Sequence, residues 1–176
     1  MPSITTITPK IISLEDLYVY FFEDIELQLS EASLSAIKKS RTFLDEKLAS
    51  SDDVFYGINT GFGSLCNVEI SKDQLEELQH NLITSHAVGL GEYVPEQIAR
   101  LILLLKIKNL SFGYSGASLE LINTMIRFFN KKITPVVYQQ GSLGASGDLA
   151  PLAHLSLPIL GLGKVWYKGE VINTED

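Results

Sequence analysis

The run IARLILLLKIKNL at residues 98–110 restricts the fold more than any other stretch. Wound as a helix, it is apolar on nearly every face, so it must lie at the centre of a helical assembly. Its most apolar part, residues 101–105, is bounded by Arg100 and Lys106, with Lys108 close behind. That is far too short to cross a bilayer, so no membrane partner is expected. Pro95 stands at the start of this helix, where its missing N–H costs nothing.

Shorter helical patterns surround it. Ser13 with Asp16 three residues on reads as a capped short helix. Ser30 opens a second helix, with Leu34, Ile37, Leu44 and Leu48 along one face. Residues 54–58 form a short apolar run that passes into a loop containing Gly57, Gly61 and Gly63. Ser71 begins a third helix with Asp73 in its first turn. Leu75, Leu78, Leu82 and His86 share its apolar face, and Gly89 and Gly91 end it. After a loop at 111–116, a helix from about Ser118 to Asn130 turns Leu119, Ile122, Ile126 and Phe129 inward. Pro135 breaks the pattern, and residues 136–138 read as extended. Asp148 is expected to cap a helix through Leu160, with Pro151 in its first turn. Residues 164–172 alternate about Lys168 and Gly169 as a β-hairpin. The fold class expected is therefore mainly α, with short strands and a C-terminal hairpin.

The 176 residues suffice for one domain with a true core. Hydrophobic residues make up 45% and charged residues 20%, which excludes a disordered chain. Mean hydropathy is +0.16, high enough to suggest surface hidden against another chain. A net charge of −7 without a dense Lys/Arg cluster argues against a nucleic-acid partner. Cys66 is the sole cysteine, so neither a disulfide framework nor a Cys-rich zinc site is available. The first residues, MPSITT, have no basic and apolar leader pattern, and a cytoplasmic location is expected. His80 and His86 are six apart, a poor helical spacing for ligands, and no acidic partner completes a site; no metal is expected.

The segment GSLGASGD at residues 141–148 carries three glycines at intervals of three. It is not a phosphate-binding loop, since no Gly-Lys-Ser/Thr follows, nor a dinucleotide fingerprint, nor a nucleophile elbow. Taken alone, it also suits a plain glycine turn capped by Asp148. Another chemistry fits as well. Glycine lacks a Cβ, so its backbone reaches atoms closed to other residues. In a tight loop the amide nitrogen of Gly147 can attack the carbonyl carbon of Ala145. Loss of one water closes a five-membered ring, and loss of a second from Ser146 leaves an exocyclic methylene. The product is an electrophilic methylidene-imidazolone. Asp148 is placed to hold or remove a proton.

Two motifs give this reading its weight. GSLGASGDLAPLAH at 141–154 resembles the signature of the histidine, phenylalanine and tyrosine ammonia-lyases. YGINTGFG at 56–63 is similar to the second signature of that family, in the same order and at a matching separation. The resemblance runs from about Ile12 to Gly169. It implies the helical ammonia-lyase fold and a self-formed methylidene-imidazolone from Ala145, Ser146 and Gly147, with Gly144 and Asp148 supporting closure and no external cofactor. It implies proton transfer by Tyr56 and a substrate-pocket place for His86. Asn59 is expected either to bind substrate or to hold its own loop. His154 reads as structural. The pair Ser85-His86 points to histidine as the amino acid substrate, with a tyrosine or phenylalanine lyase, or an aminomutase, as the alternative. A non-catalytic helical interaction module is the reading from another class.

The resemblance further implies a homotetramer, and a whole protein roughly three times longer, of which residues 1–176 form one N-terminal domain inactive by itself. The ending, at Asn173 to Asp176 without a closing element, is expected to be a cut. One departure stands out: Phe112 and Ser118 occupy positions that hold arginine in many relatives.

Overall fold

The computed structural model describes residues 2–51, 53–60 and 74–175. The Ser71 and Asp73 helix start, the Gly61 and Gly63 part of the second motif, and Cys66 lie outside the described residues.

A parallel two-stranded unit opens the chain. β1 (Ser3–Ile7) pairs with β2 (Ile25–Leu29), Ser3 opposite Ile25 and Ile7 opposite Leu29. The crossover between them is α1 (Leu14–Phe22). Its start is the capping box expected: Ser13 Oγ accepts from the Asp16 amide while the Asp16 carboxylate accepts from the Ser13 amide. The strand pair was not foreseen. Residue alternation is clear only in β2, where Ile25 and Leu27 point inward and Glu26 and Gln28 outward. Asn130 completes the edge of β2: its Oδ1 accepts from the Leu27 amide at 2.7 Å and its Nδ2 donates to the Leu27 carbonyl at 3.0 Å. A side-chain amide here replaces a third strand.

α2 (Glu31–Ser50) is capped by Ser30 as expected and buries Ser33 and Ile37. α4 (Glu96–Leu110) is the central helix, with Pro95 at its N-cap, one residue before the helix proper. Leu103, Leu104 and Ile107 are wholly buried, and pack with Ile122, Met125 and Phe129 of α5 (Leu119–Asn130) and with Ile7, Ile25 and Leu27 of the strand pair. The all-round apolar pattern is relieved on one side, where Ile98 and Leu105 are exposed. Lys108 is buried, and its ammonium donates to the Thr8 carbonyl. Desolvation lowers its pKa, and the carbonyl is its local compensation.

The loop between α4 and α5 presses on α2. Gly113 has φ +70°, and a Cβ there would lie 2.5 Å from the Ala36 carbonyl carbon and oxygen. The two residues that depart from the usual arginines have local work: Phe112 stacks on Tyr114, and Ser118 Oγ caps α5 by accepting from the Leu121 amide.

α3 (Leu75–His86) ends three residues before Gly89, with Ala87 at its C-cap. The glycines read as its stop instead belong to a strand region. β3 (Leu90–Tyr93) pairs antiparallel with β5 (Tyr138–Gln140), Leu90 opposite Gln140 and Tyr93 opposite Tyr138, with an irregular register between. β4 (Thr134–Pro135), β6 (Lys164–Tyr167) and β7 (Glu170–Asn173) form an antiparallel sheet. The β6–β7 hairpin turns through Lys168 and Gly169, both at positive φ, as a two-residue primed turn requires. The expected helix from 149 to 160 is α6 (Leu149–Ser156) followed by a 3₁₀ turn at Leu157–Leu160.

Candidate active site

β5 leads directly into the glycine-punctuated loop. Gly141 sits at φ +109° against β3's lead-in, where a Cβ would come within 2.8 Å of the Val88 carbonyl oxygen and 2.9 Å of the Gly89 Cα. The chain then bends at residues 144–147, and Gly147 takes φ +68°, a left-handed backbone that favours glycine. Ser146 Oγ donates to the carboxylate Oδ1 of Asp148. This is why Asp148, though at the N-cap of α6, makes no side-chain capping bond: its backbone is helical and its carboxylate is turned to Ser146. The expected cap is therefore positional only. Its carbonyl still accepts from the Leu152 amide at 2.9 Å.

The loop suits the methylidene-imidazolone chemistry by its local geometry. Ala145, Ser146 and Gly147 are exposed, and a Cβ at Gly144 or Gly147 would meet nothing within 4 Å. The backbone bends at Ala145, Ser146 and Gly147. The Ser146 hydroxyl lies on a carboxylate, a group able to hold or deliver a proton beside it.

α3 packs on α6 across a groove of about 210 Å³ lined by Gln79, Leu82, Ile83, His86, Leu149 and Leu152. Leu149 directly follows Asp148, so the groove brings His86 to the root of the triad loop. His86 Nδ1 lies 2.6 Å from the Leu82 carbonyl oxygen. A carbonyl only accepts, so Nδ1 carries the hydrogen in this arrangement.

Tyr56 is exposed, in a turn at residues 56–59. Asn59 builds that turn: its Oδ1 accepts from the Phe55 amide at 2.6 Å and its Nδ2 donates to the Asp53 carbonyl at 2.9 Å. Of the two roles open to Asn59, loop support is the one these bonds perform. Gln79 ties the turn to α3, its Nε2 donating to the Ile58 carbonyl at 3.4 Å. The sequence reading passed over Gln79; its place one turn before Leu82 and two before His86 was the available signal.

A larger cavity, about 400 Å³, lies away from the triad loop and is lined in part by Tyr138, His154, Lys164 and Glu175. Among the described residues, no three His, Cys, Asp or Glu side chains gather as a metal ion would need, and no helix is long and apolar enough to cross a membrane.

The architecture is that of the ammonia-lyase and aminomutase fold. Ergothionase from Treponema denticola superposes with a TM-score of 0.91 at 31% identity, over 98% of this chain and 34% of that one. Histidine ammonia-lyase from Trypanosoma cruzi superposes with a TM-score of 0.85, also at 31% identity, over 98% and 33%. More particularly, the chain belongs to the aromatic amino acid lyase family, whose model matches residues 12–176. A histidine ammonia-lyase of Legionella pneumophila is 52% identical over 154 residues, which is 88% of this chain and 30% of that protein. The chain thus spans about a third of the length of the curated relatives it matches.

Proposed function

We propose that this chain is the N-terminal domain of a histidine ammonia-lyase, which converts L-histidine to trans-urocanate and ammonia. The observation that carries the reading is the bent, exposed Ala145-Ser146-Gly147 loop, set at the head of α6 beside the groove that holds His86. Ring closure joins the Gly147 nitrogen to the Ala145 carbonyl carbon with loss of water, and the N, Cα and C of Ser146 supply the other three ring atoms. Ser146 loses its Cα proton and its Cβ hydroxyl as the second water, with the Asp148 carboxylate, hydrogen-bonded to that hydroxyl, placed to hand a proton to the departing oxygen. The resulting methylidene-imidazolone supplies an electrophile that makes the substrate amine a good leaving group. Tyr56 moves a proton at the substrate, and His86 faces its side chain from α3. Ser85 and His86 together favour histidine, as do the relatives that share 52% identity and that name. The whole enzyme is a cytoplasmic homotetramer that takes no external cofactor.

The test is made on the full-length protein. Its mass should be two waters below the sequence value on the peptide holding Ser146, and S146A should restore full mass and reduce ammonia release from histidine by at least about a thousandfold, as loss of a covalent electrophile predicts. Faster turnover of tyrosine or phenylalanine than of histidine moves the protein to the other branch. Full mass with no ammonia from any of the three leaves a helical interaction module.

A further inference from the structure

His154 is the group the mechanism leaves unused, and it lies where three segments of the site meet. It sits on α6, six residues after Asp148, and only 8% of its surface is exposed. Its Nε2 accepts from the Gly89 amide at 2.8 Å. Gly89 follows His86 by three residues. Against Gly89 also lies β5, the strand that feeds the triad loop. A Cβ on Gly89 would lie 2.8 Å from His154 Nε2 and 2.8 Å from the Tyr138 Cβ, so no other residue fits between them unless something shifts. Gly141 closes on the same point, against Val88 and Gly89. The Tyr138 ring covers the imidazole, with centroids 4.8 Å apart.

An imidazole that accepts at Nε2 is neutral, with its hydrogen on Nδ1. Burial favours the same form, holding the pKa of His154 below the ordinary histidine value. We infer that His154 is a positioning residue: its neutral imidazole clasps the chain leaving His86 against both ends of the triad loop, and so sets the distance between the substrate pocket and the ring-forming residues. The inference rests on the proposed lyase reading. It adds a residue that touches neither substrate nor ring and acts through Gly89.

Three substitutions in the full-length protein separate this role from simple packing. A glutamine side chain can put its Oε1 near the place of Nε2; asparagine is one bond shorter and cannot; leucine fills space without accepting. H154L and H154N are expected to leave a fraction of chains at full mass, to lower kcat by about 10- to 100-fold, as misplacement on the order of 1 Å does, and to raise KM for histidine. H154Q is expected to recover most of both losses and of the two-water mass deficit. A residue that only stabilises the fold would reduce the yield of soluble protein while leaving mass deficit and KM of the folded fraction unchanged. Should H154N match H154Q, or H154L keep the wild-type mass deficit and KM, the inference is overturned. Wild-type protein at full mass and without lyase activity would instead overturn the lyase reading, and this inference with it.

Discussion

The bond from Ser146 Oγ to the Asp148 carboxylate decides how the residue at the head of α6 is used, and it leaves the helix amides without that cap. The bent loop at Ala145, Ser146 and Gly147 and the place of His86 on α3 were legible from residue type and order. The partner of the Asp148 carboxylate was not: N-cap placement pointed to the helix amides, and the structure turns the side chain back to Ser146. His154 shows the same limit, since its partner Gly89 is sixty-five residues away. Its burial has a consequence for stability. The folded pKa lies below that of the unfolded chain, ordinarily near about 6.5. The unfolded state therefore binds more protons as pH falls below that value, and the contribution of His154 is fully present above it and lost as pH drops through the folded pKa. Tyr138, Lys164 and Glu175 share its cavity. Asp24, held low by Lys132, changes charge only at more acid pH. The urea midpoint should fall between pH 7.5 and 5.5, and H154Q should flatten that fall; an equal slope in H154Q would assign the effect to another group.

Among elements, the helices and the β6–β7 hairpin were legible, whereas β1, β2 and β3 were not. Capping residues and periodicity placed α1, α2, α4, α5 and α6 to within a residue or two at their starts, because those signals are local. β1 and β3 were missed because a strand of four or five residues is defined by what it pairs with. Gly91 looked like a helix stop, yet its φ of +80° serves the irregular register of β3 on β5. Glycine also separates two costs that sequence alone cannot. Gly161 and Gly113 both hold positive φ, at +75° and +70°. A Cβ at Gly161 meets nothing within 4 Å, whereas at Gly113 it strikes the backbone of Ala36 at 2.5 Å. G161A should cost only the left-handed strain, about 1–2 kcal/mol. G113A should cost about 2–5 kcal/mol, because it also overpacks the contact between α2 and the loop after α4, and backbone cannot swing aside. Urea unfolding of the two variants measures the difference directly; equal losses would mean that the loop yields freely.

For the molecule as a whole, the proposed ring closure depends on what surrounds this domain. α1 buries none of its residues, and Leu14, Tyr18 and Phe22 stand exposed on it at intervals of four, with Ile11 beside them. The relatives are about three times as long, so most of their chain has no counterpart among these residues. The triad loop is similarly open. Its ends are pinned by Gly141 against Gly89 and by the start of α6, while open space surrounds Gly144 and Gly147. Ring closure needs the Gly147 nitrogen driven onto the Ala145 carbonyl carbon. In an open loop each backbone residue retains freedom worth about 1–2 kcal/mol, which must be lost before attack. Confinement by surrounding protein removes that cost in advance, the same advantage that raises effective molarity when reacting groups are held in place. Produced alone, residues 1–176 should therefore have the mass of the unmodified sequence and release no ammonia from histidine, while giving a helical circular dichroism spectrum. The full-length chain should be two waters lighter. If the isolated domain already carries the two-water deficit, the hydrogen bond from Ser146 to Asp148 and the bend at Gly147 are sufficient by themselves, and the surrounding protein serves substrate binding alone.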